Sequence, residues 1–527
     1  MNSPLLQPLR IVPAVIAVAC SALAFLSACE GRVSSSSEKN SAEPSQITSA
    51  APIRPRLIIL ISIDTLRADH LSLYGYPRMT SPNLDLFALE GASFEDASSV
   101  APWTLPAHAS MLTGLYPMTH GVIEPGRKLP KDIPTLAKLL GDHGWRTAAA
   151  VNSAWLLRKT HELSREFDDF LFVQEVLVQR FPTRKVTDRA MRWIEEAKTS
   201  NLFLFMHYYD VHSDYKSLPR FEKLFVAPYE GEIDGTTWQL NVASMPDSYI
   251  ASCQADFDAE RCRFGAGESL HYVDDSVRKP TFAPHDLRHL EELYDAGIRQ
   301  IDDELGRFFR YLESEDLFDV ATVIVTSDHG EELSDHGSFY HFLTIYQEVL
   351  RVPLIVRGAG IPPGQAIGAP VSIVDLAPTI LAWAGIEPPA EFEGFDLGPL
   401  LRGEPDGREA RALDGRLRNR FQHAEASGGL QWQKRAEGLV PIFSSIRRGK
   451  FKLVHQTGTD SAALYDLESD PKELIDISAK ERRVAETLLA EMRQRQADFG
   501  EDSLPENRFE LDPEEAERLR ALGYIID

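Results

Sequence analysis

Between Arg56 and Val356 the chain alternates short, continuous apolar runs with longer stretches whose apolar positions recur every three or four residues. The runs Leu57–Ile63, Thr147–Val151, Leu202–Met206, Ala321–Thr326 and Val352–Val356 are mostly β-branched or bulky and lack a polar alternate face. Each is expected to be a strand buried on both sides. Ile133–Leu140 and Val186–Ala197 carry helical spacing between them. The longest helical pattern, from Pro284 to about Leu312, places Leu287, Leu290, Tyr294, Ile298, Ile301, Leu305 and Phe308 on one stripe. Strands alternating with helices predict an α/β fold, a large mixed sheet sandwiched by helices. Residues 215–283 break the alternation and are expected to form a loop-rich insertion in a catalytic domain spanning 56–360. After Gly360 the elements shorten. Ile373–Trp383, strands at Lys450–His455 and Ala463–Leu467, and a charged helix near Lys480–Gln496 predict a smaller C-terminal α+β subdomain over 361–527. A tail helix is expected at Asp512–Leu522, with acids in its first turn as the helix dipole prefers. No internal repeat is visible.

Composition narrows the function. The 527 residues carry 55 Lys and Arg against 79 Asp and Glu, a net charge of −24, with 43% hydrophobic residues. That balance suits a globular enzyme and argues against binding the phosphate backbone of nucleic acid. Residues 1–28 hold a single charge, Arg10, followed by the apolar run Ile11–Leu26. The run falls short of the roughly 20 residues a membrane span requires and predicts a signal peptide. Leu26-Ser-Ala-Cys29 resembles the lipobox of bacterial lipoproteins, which implies lipidation at Cys29 and an exported protein tethered on the periplasmic or cell-surface side of a membrane. A signal peptide with an incidental Cys, or an uncleaved anchor, is the alternative. The Ser-rich segment up to residue 55 has little to bury and is expected to be a disordered tether. Of four cysteines, Cys20 lies in the signal core and Cys29 in the lipobox, leaving Cys253 and Cys262. An even pair in an exported chain predicts a Cys253–Cys262 disulfide, with two free thiols as the alternative.

Three of the expected strands end in metal-binding residue types. Leu57–Ile63 runs into Asp64, Leu202–Met206 into His207, Asp210 and His212, and Ala321–Thr326 into Asp328-His329-Gly330. Ligands of open α/β sheets bind beyond the carboxyl ends of the strands, so these groups can meet in one crevice. Mixed Asp and His donors favour zinc or manganese, while calcium fits an all-oxygen shell. A fourth segment, Ala101-Pro-Trp-Thr-Leu-Pro-Ala-His-Ala-Ser-Met-Leu-Thr-Gly114, places Thr104 before a short helix that Pro106 starts and Gly114 ends. Its hydroxyl at a helix N-terminus is either a nucleophile near an anion site or an ordinary N-cap.

Together these residues resemble the sulfatase branch of the alkaline-phosphatase superfamily. The likeness runs from Leu57 to the C-terminus. It is carried by Ile63-Asp-Thr-Leu-Arg-Ala-Asp-His70, Trp103–Gly114, Tyr116-Pro-Met-Thr-His-Gly121 and Thr326-Ser-Asp-His-Gly-Glu-Glu332, then by Arg351–Val356, Val374–Leu381 and Leu464–Pro471. The resemblance implies a metal-dependent ester hydrolase with a large sheet and a smaller C-terminal sheet and helix. Departures shape the chemistry expected. Sulfatases place Cys or Ser at the position of Thr104 and convert it to formylglycine. Here no formylglycine is expected, the Arg four residues on is His108, and the second Asp of an Asp-Asp pair is Thr65. Relatives with a Thr nucleophile act on phosphoesters.

The reading that follows is a hydrolase of an oxyanion ester, with a phosphoester preferred. Asp64, Asp328 and His329 would hold a metal that binds Thr104, and Asp210, His212 and His341 a second. His108 and Arg67 are candidate substrate contacts, Lys128 a further pocket cation, and His120 a structural group. The expected partners are a small-molecule, glycan or lipid ester and the membrane. Alternatives are a sulfatase, a phosphoethanolamine-type transferase, and a non-catalytic binding lipoprotein on the same scaffold.

Overall fold

The computed structural model describes residues 54–499, except 158–160, 175–181, 258–261, 265–270, 404–406, 427–441 and 458, together with 507 and 508. The expected signal peptide, Cys29, nearly all of the tether and the tail helix lie outside the described residues.

The apolar runs become the centre of one sheet. Its strands are β1 (Leu57–Ile63), β2 (Ala92–Ser98), β3 (Arg146–Val151), β4 (Asp169–Phe172), β5 (Leu202–Tyr208), β6 (Ala321–Ser327), β7 (Arg351–Gly358), β8 (Gln365–Ile367) and β9 (Val371–Ser372). Their order is β8-β2-β7-β6-β1-β5-β3-β4, with β9 also on β2. All seven residues of β1, β5 and β6 are buried, as the absence of a polar alternate face requires. β2 escapes the apolar-run criterion because its sequence ASFEDAS alternates and includes the exposed Glu95. Pairings among β6, β1, β5, β3 and β4 are parallel. β7 runs antiparallel to both β6 and β2, which turns β2 back into the direction of the parallel strands. Consequently β1, β2, β5 and β6 all end at one edge. The register is flush there, with Ile63 opposite both Tyr208 and Ser327.

Helices cover the sheet. They include α1 (Pro82–Leu89), α2 (Thr104–Thr113), α3 (Leu136–Asp142), α4 (Pro182–Glu196), α5 (Pro284–Ser314) and α6 (Leu376–Ala384). The 31 residues of α5 bury Leu290, Tyr294, Ile298, Ile301, Leu305 and Phe308, the stripe its periodicity predicts. The insertion is more ordered than its loop-like composition indicates. Its described residues include three short helices, Pro219–Phe225, Thr237–Ser244 and Asp247–Ala255, and a two-residue ladder. Cys253 and Cys262 are disulfide-bonded there, with Cα atoms 5.7 Å apart.

Beyond α7 (Arg408–Asn419), an antiparallel sheet of β10 (Gln422–Glu425), β11 (Ile442–Arg448), β12 (Phe451–Thr457) and β13 (Ser461–Asp466) packs on α8 (Arg482–Asp498). Ile446, Leu453, Leu464, Leu488 and Met492 form its own small core. Polar clamps join it to the larger unit. Arg447 grips Asp96 of β2 (2.7 Å). Lys452, buried on β12, pairs with Glu473 (2.8 Å) and donates to the Ile345 carbonyl (2.6 Å), while Glu473 accepts the Gln347 N–H (2.7 Å). Removing one member strands the other without solvent, so Glu473→Ala is expected to lower unfolding free energy by about 3–5 kcal/mol, whereas Lys452→Met with Glu473→Leu costs far less. Denaturant unfolding of the single and double variants measures the difference.

Candidate active site

The flush strand ends deliver the chemistry. Asp64 follows β1, and its N–H is held by the Tyr208 carbonyl (2.9 Å). His207 lies opposite Ser62 on the neighbouring strand, and side chains two apart on β1 share a face. Ser62, His207 and Asp64 therefore point the same way. Asp328 and His329 follow β6. Gly330 is required after them, because a Cβ there would stand 2.0 Å from the Glu348 carbonyl oxygen. From β2 the chain turns through Ser99, which donates to the Asp328 carbonyl, into α2. Every residue of α2 is buried, and Gly114 ends it at φ +67°.

His329 donates from Nδ1 to the Gly330 carbonyl (2.8 Å), which leaves a lone pair on Nε2. That atom faces Asp64 Oδ1 at 3.6 Å and Asp328 Oδ2 at 3.5 Å. His207 Nε2 lies 3.6 Å from Asp64 Oδ2. Among the described residues, neither ring nitrogen of His207, nor Asp328 Oδ2, nor His329 Nε2 has a hydrogen-bond partner. Asp328 Oδ1, by contrast, accepts the His329 N–H (3.0 Å) and the Thr65 N–H (3.4 Å). Burial lowers the His329 pKa to about 3, pushes that of His207 well below its ordinary value, and raises that of Asp328. Neutral imidazoles and carboxylate oxygens converging without hydrogens to share are the donor set of a divalent cation. Asp64, Asp328 and His329 fit one, with ligand atoms within 4.8 Å of one another, and His207 borders the same point.

His108 stands one turn after Thr104. Its Nδ1 donates to the Thr104 carbonyl (2.8 Å) and lies 3.5 Å from Asp328 Oδ2, and its Nε2 accepts from Ser62 Oγ (3.0 Å). It also forms a possible metal-holding group with His207 and Asp328, but its two nitrogens are already bonded. This is the geometry of a brace holding Thr104's helix to the strand ends. His341 and His212 extend the cluster. The His341 ring lies 4.6 Å from that of His329 and 4.9 Å from that of His212, and its Nδ1 meets Glu331 Oε1 (2.9 Å).

Two expectations need correction. Asp210 does not join His212 and His341, because its carboxylate turns to Thr183 of α4 and Gln300 of α5 (2.8 Å). A second metal on Asp210, His212 and His341 is therefore not the arrangement found. Arg67 does not extend toward a substrate. Its guanidinium is bonded to Asp69 (2.9 Å), Asp335 (2.6 Å) and the Glu331 carbonyl (3.1 Å). His207, left out of the metal set expected from sequence, borders Asp64; its signal was its place directly after the apolar run Leu202–Met206. His120 is structural, accepting the Val122 N–H at Nδ1 and bonding Ser110 at Nε2 (both 3.0 Å). The backbone N–H of Lys128 meets the Asn507 carbonyl (3.1 Å). Stoichiometric zinc or manganese, measured by elemental analysis of purified protein, is expected to fall in Asp328→Asn and His207→Ala but not in Asp210→Asn. The last should lose roughly 1–3 kcal/mol of stability instead.

Comparison with known proteins bears on the family and the fold. The sulfatase family matches residues 56–386, and the C-terminal part of N-sulphoglucosamine sulphohydrolase matches residues 334–499. An N-acetylglucosamine-6-O-sulfatase of Bacteroides thetaiotaomicron is 26% identical over 81% of this chain and 83% of its own length. The multifunctional alkaline phosphatase superfamily protein PehA of Trinickia caryophylli is 26% identical over 80% of this chain and 91% of its own. A solved structure in complex with its substrate D-glucosamine-2-N,6-O-disulfate superposes with a TM-score of 0.63 at 22% identity, covering 86% of this chain and all of that one. With its carboxylate and imidazole donors gathered at the strand ends and most of its length matched, the chain belongs to the sulfatase family of hydrolases.

Proposed function

We propose that this chain hydrolyses the ester of a tetrahedral oxyanion with Thr104 Oγ1 as the nucleophile. The observation that carries it is the placement of Thr104. It opens a fully buried helix whose next turn, through His108, reaches Asp328 and Ser62. A divalent cation held by Asp64, Asp328 and His329 would supply Lewis-acid stabilisation of an alkoxide at neutral pH. In the first step the Oγ1 bond to the central atom forms as the bond to the leaving alcohol breaks, and the hydroxyl proton goes to that alcohol. In the second, water attacks the same centre, the Oγ1 bond breaks, and Thr104 regains its proton. His341, oriented by Glu331, and His212 line the side beyond His329 and would contact the ester's oxygens.

The similarity to sulfatases favours a sulfate ester as the substrate, which shifts the weight from the phosphoester that Thr104 alone points to. Thr104 itself supports the second reading, a phosphoester or phosphonate monoester. Threonine carries one oxygen on Cβ, so it cannot release the oxyanion by the elimination available to an aldehyde hydrate, and water must displace it. Matched aryl sulfate, phosphate, phosphodiester and phosphonate esters, assayed with zinc, manganese or calcium, separate the two. Thr104→Ala is expected to lower turnover of the preferred ester by roughly 10³-fold or more. Undiminished turnover in that variant would make water the attacking group.

Export and a lipid anchor at Cys29 belong to the same proposal and rest on Leu26-Ser-Ala-Cys29. Cys29→Ser is expected to release the protein from the membrane fraction; retention of the variant there would argue for an uncleaved span.

A further inference from the structure

The turn that follows β1 is strained and is closed from outside the sheet. Thr65 adopts φ +57°, a left-handed conformation that a β-branched residue rarely takes and that costs on the order of 1–3 kcal/mol. Tyr294, fully buried on α5, bridges this turn with one oxygen. Its hydroxyl donates to the Thr65 carbonyl (2.6 Å) and accepts the Arg67 N–H (2.9 Å). Two further bonds tie the turn to the end of β6. The Leu66 N–H meets Ser327 Oγ (3.0 Å), which donates to the His329 carbonyl (2.6 Å), and the Thr65 N–H meets Asp328 Oδ1 (3.4 Å). Asp64, one residue before the strained position, therefore has its carboxylate directed by a turn whose backbone at 65 and 67 is held by one phenol.

We propose that Tyr294 is a positioning residue of the metal site, its hydroxyl holding the 65–67 turn so that Asp64 faces His329 and His207. Tyr294 touches neither substrate nor metal, and the inference rests on Asp64 being a ligand. The long helix would thus take part in tuning the site as well as covering the sheet. Groups that orient metal ligands typically govern affinity by roughly 10–100-fold.

The test uses the full-length protein in detergent and titrates zinc and manganese against a competing chelator, alongside melting of the metal-free protein. Tyr294→Phe is expected to weaken cation affinity by roughly 10–100-fold. Thr65→Gly in the Tyr294→Phe background should recover most of that affinity, because glycine holds a positive φ without strain. This double variant also supplies a folded arm should Tyr294→Phe alone fail to fold. Unchanged affinity in Tyr294→Phe, or a loss that Thr65→Gly leaves unrepaired, would overturn the proposal and leave the phenol a purely structural bond. A parent protein that binds neither cation would overturn the ligand assignment itself, and the inference with it.

Discussion

Two carboxylates, Asp64 and Asp328, sit fully buried at the ends of adjacent parallel strands, facing imidazoles that burial keeps neutral. Such a set is costly in a low-dielectric interior unless a cation joins it. Much of the surrounding architecture serves to hold it. The flush register of β1, β5 and β6 brings the ends level. The antiparallel β7 restores the direction of β2, so that Thr104 and α2 arrive at the same edge. Gly330 lets the chain after His329 pass against Glu348, and His108 ties α2 to both Ser62 and Asp328.

Charged and polar groups near this centre divide by whether their bonds are already made. Arg67, Asp210 and His120 have residue types that chemistry could use, yet each is engaged by protein partners: two aspartates and a carbonyl, a threonine and a glutamine, a serine and a backbone amide. His207, His329 and Asp328 retain atoms that no described side chain or backbone group satisfies. Buried polar atoms without partners are rare in folded proteins, and where they converge they mark a site.

The C-terminal subdomain contributes to this arrangement through polar contacts. Lys452 and Glu473 hold the backbone at Ile345 and Gln347, and the Glu473 carbonyl lies 3.3 Å from Nε2 of His336, whose Nδ1 pairs with Glu348 (2.6 Å). These contacts bracket His341, whose neighbours Tyr340 and Phe342 take positive φ values of 73° and 83°. A strained segment persists only when its surroundings over-determine it, and here the small sheet is part of those surroundings.

Sequence alone determined the strands whose burial leaves no polar face, β1, β5 and β6, the long stripe of α5, and the acids and histidine that follow β1 and β6. These are local properties: a short run of β-branched or bulky apolar residues reads as a buried strand, and a polar residue ending it lies at a sheet edge. β2 was hidden because an edge-side strand with one solvated face reads like a loop. The insertion's helices were hidden because their amphipathic signal is weak over so few turns. Which of the histidines and aspartates converge was decided only by tertiary structure. Asp210 and His212 are two residues apart, yet one turns into α4 and α5 and the other toward His341, since direction after a strand's end depends on the turn and not on spacing. The same holds for Arg67, whose charge and near neighbour Asp69 are visible in sequence, while Asp335, 268 residues further on, becomes its partner only when the chain folds.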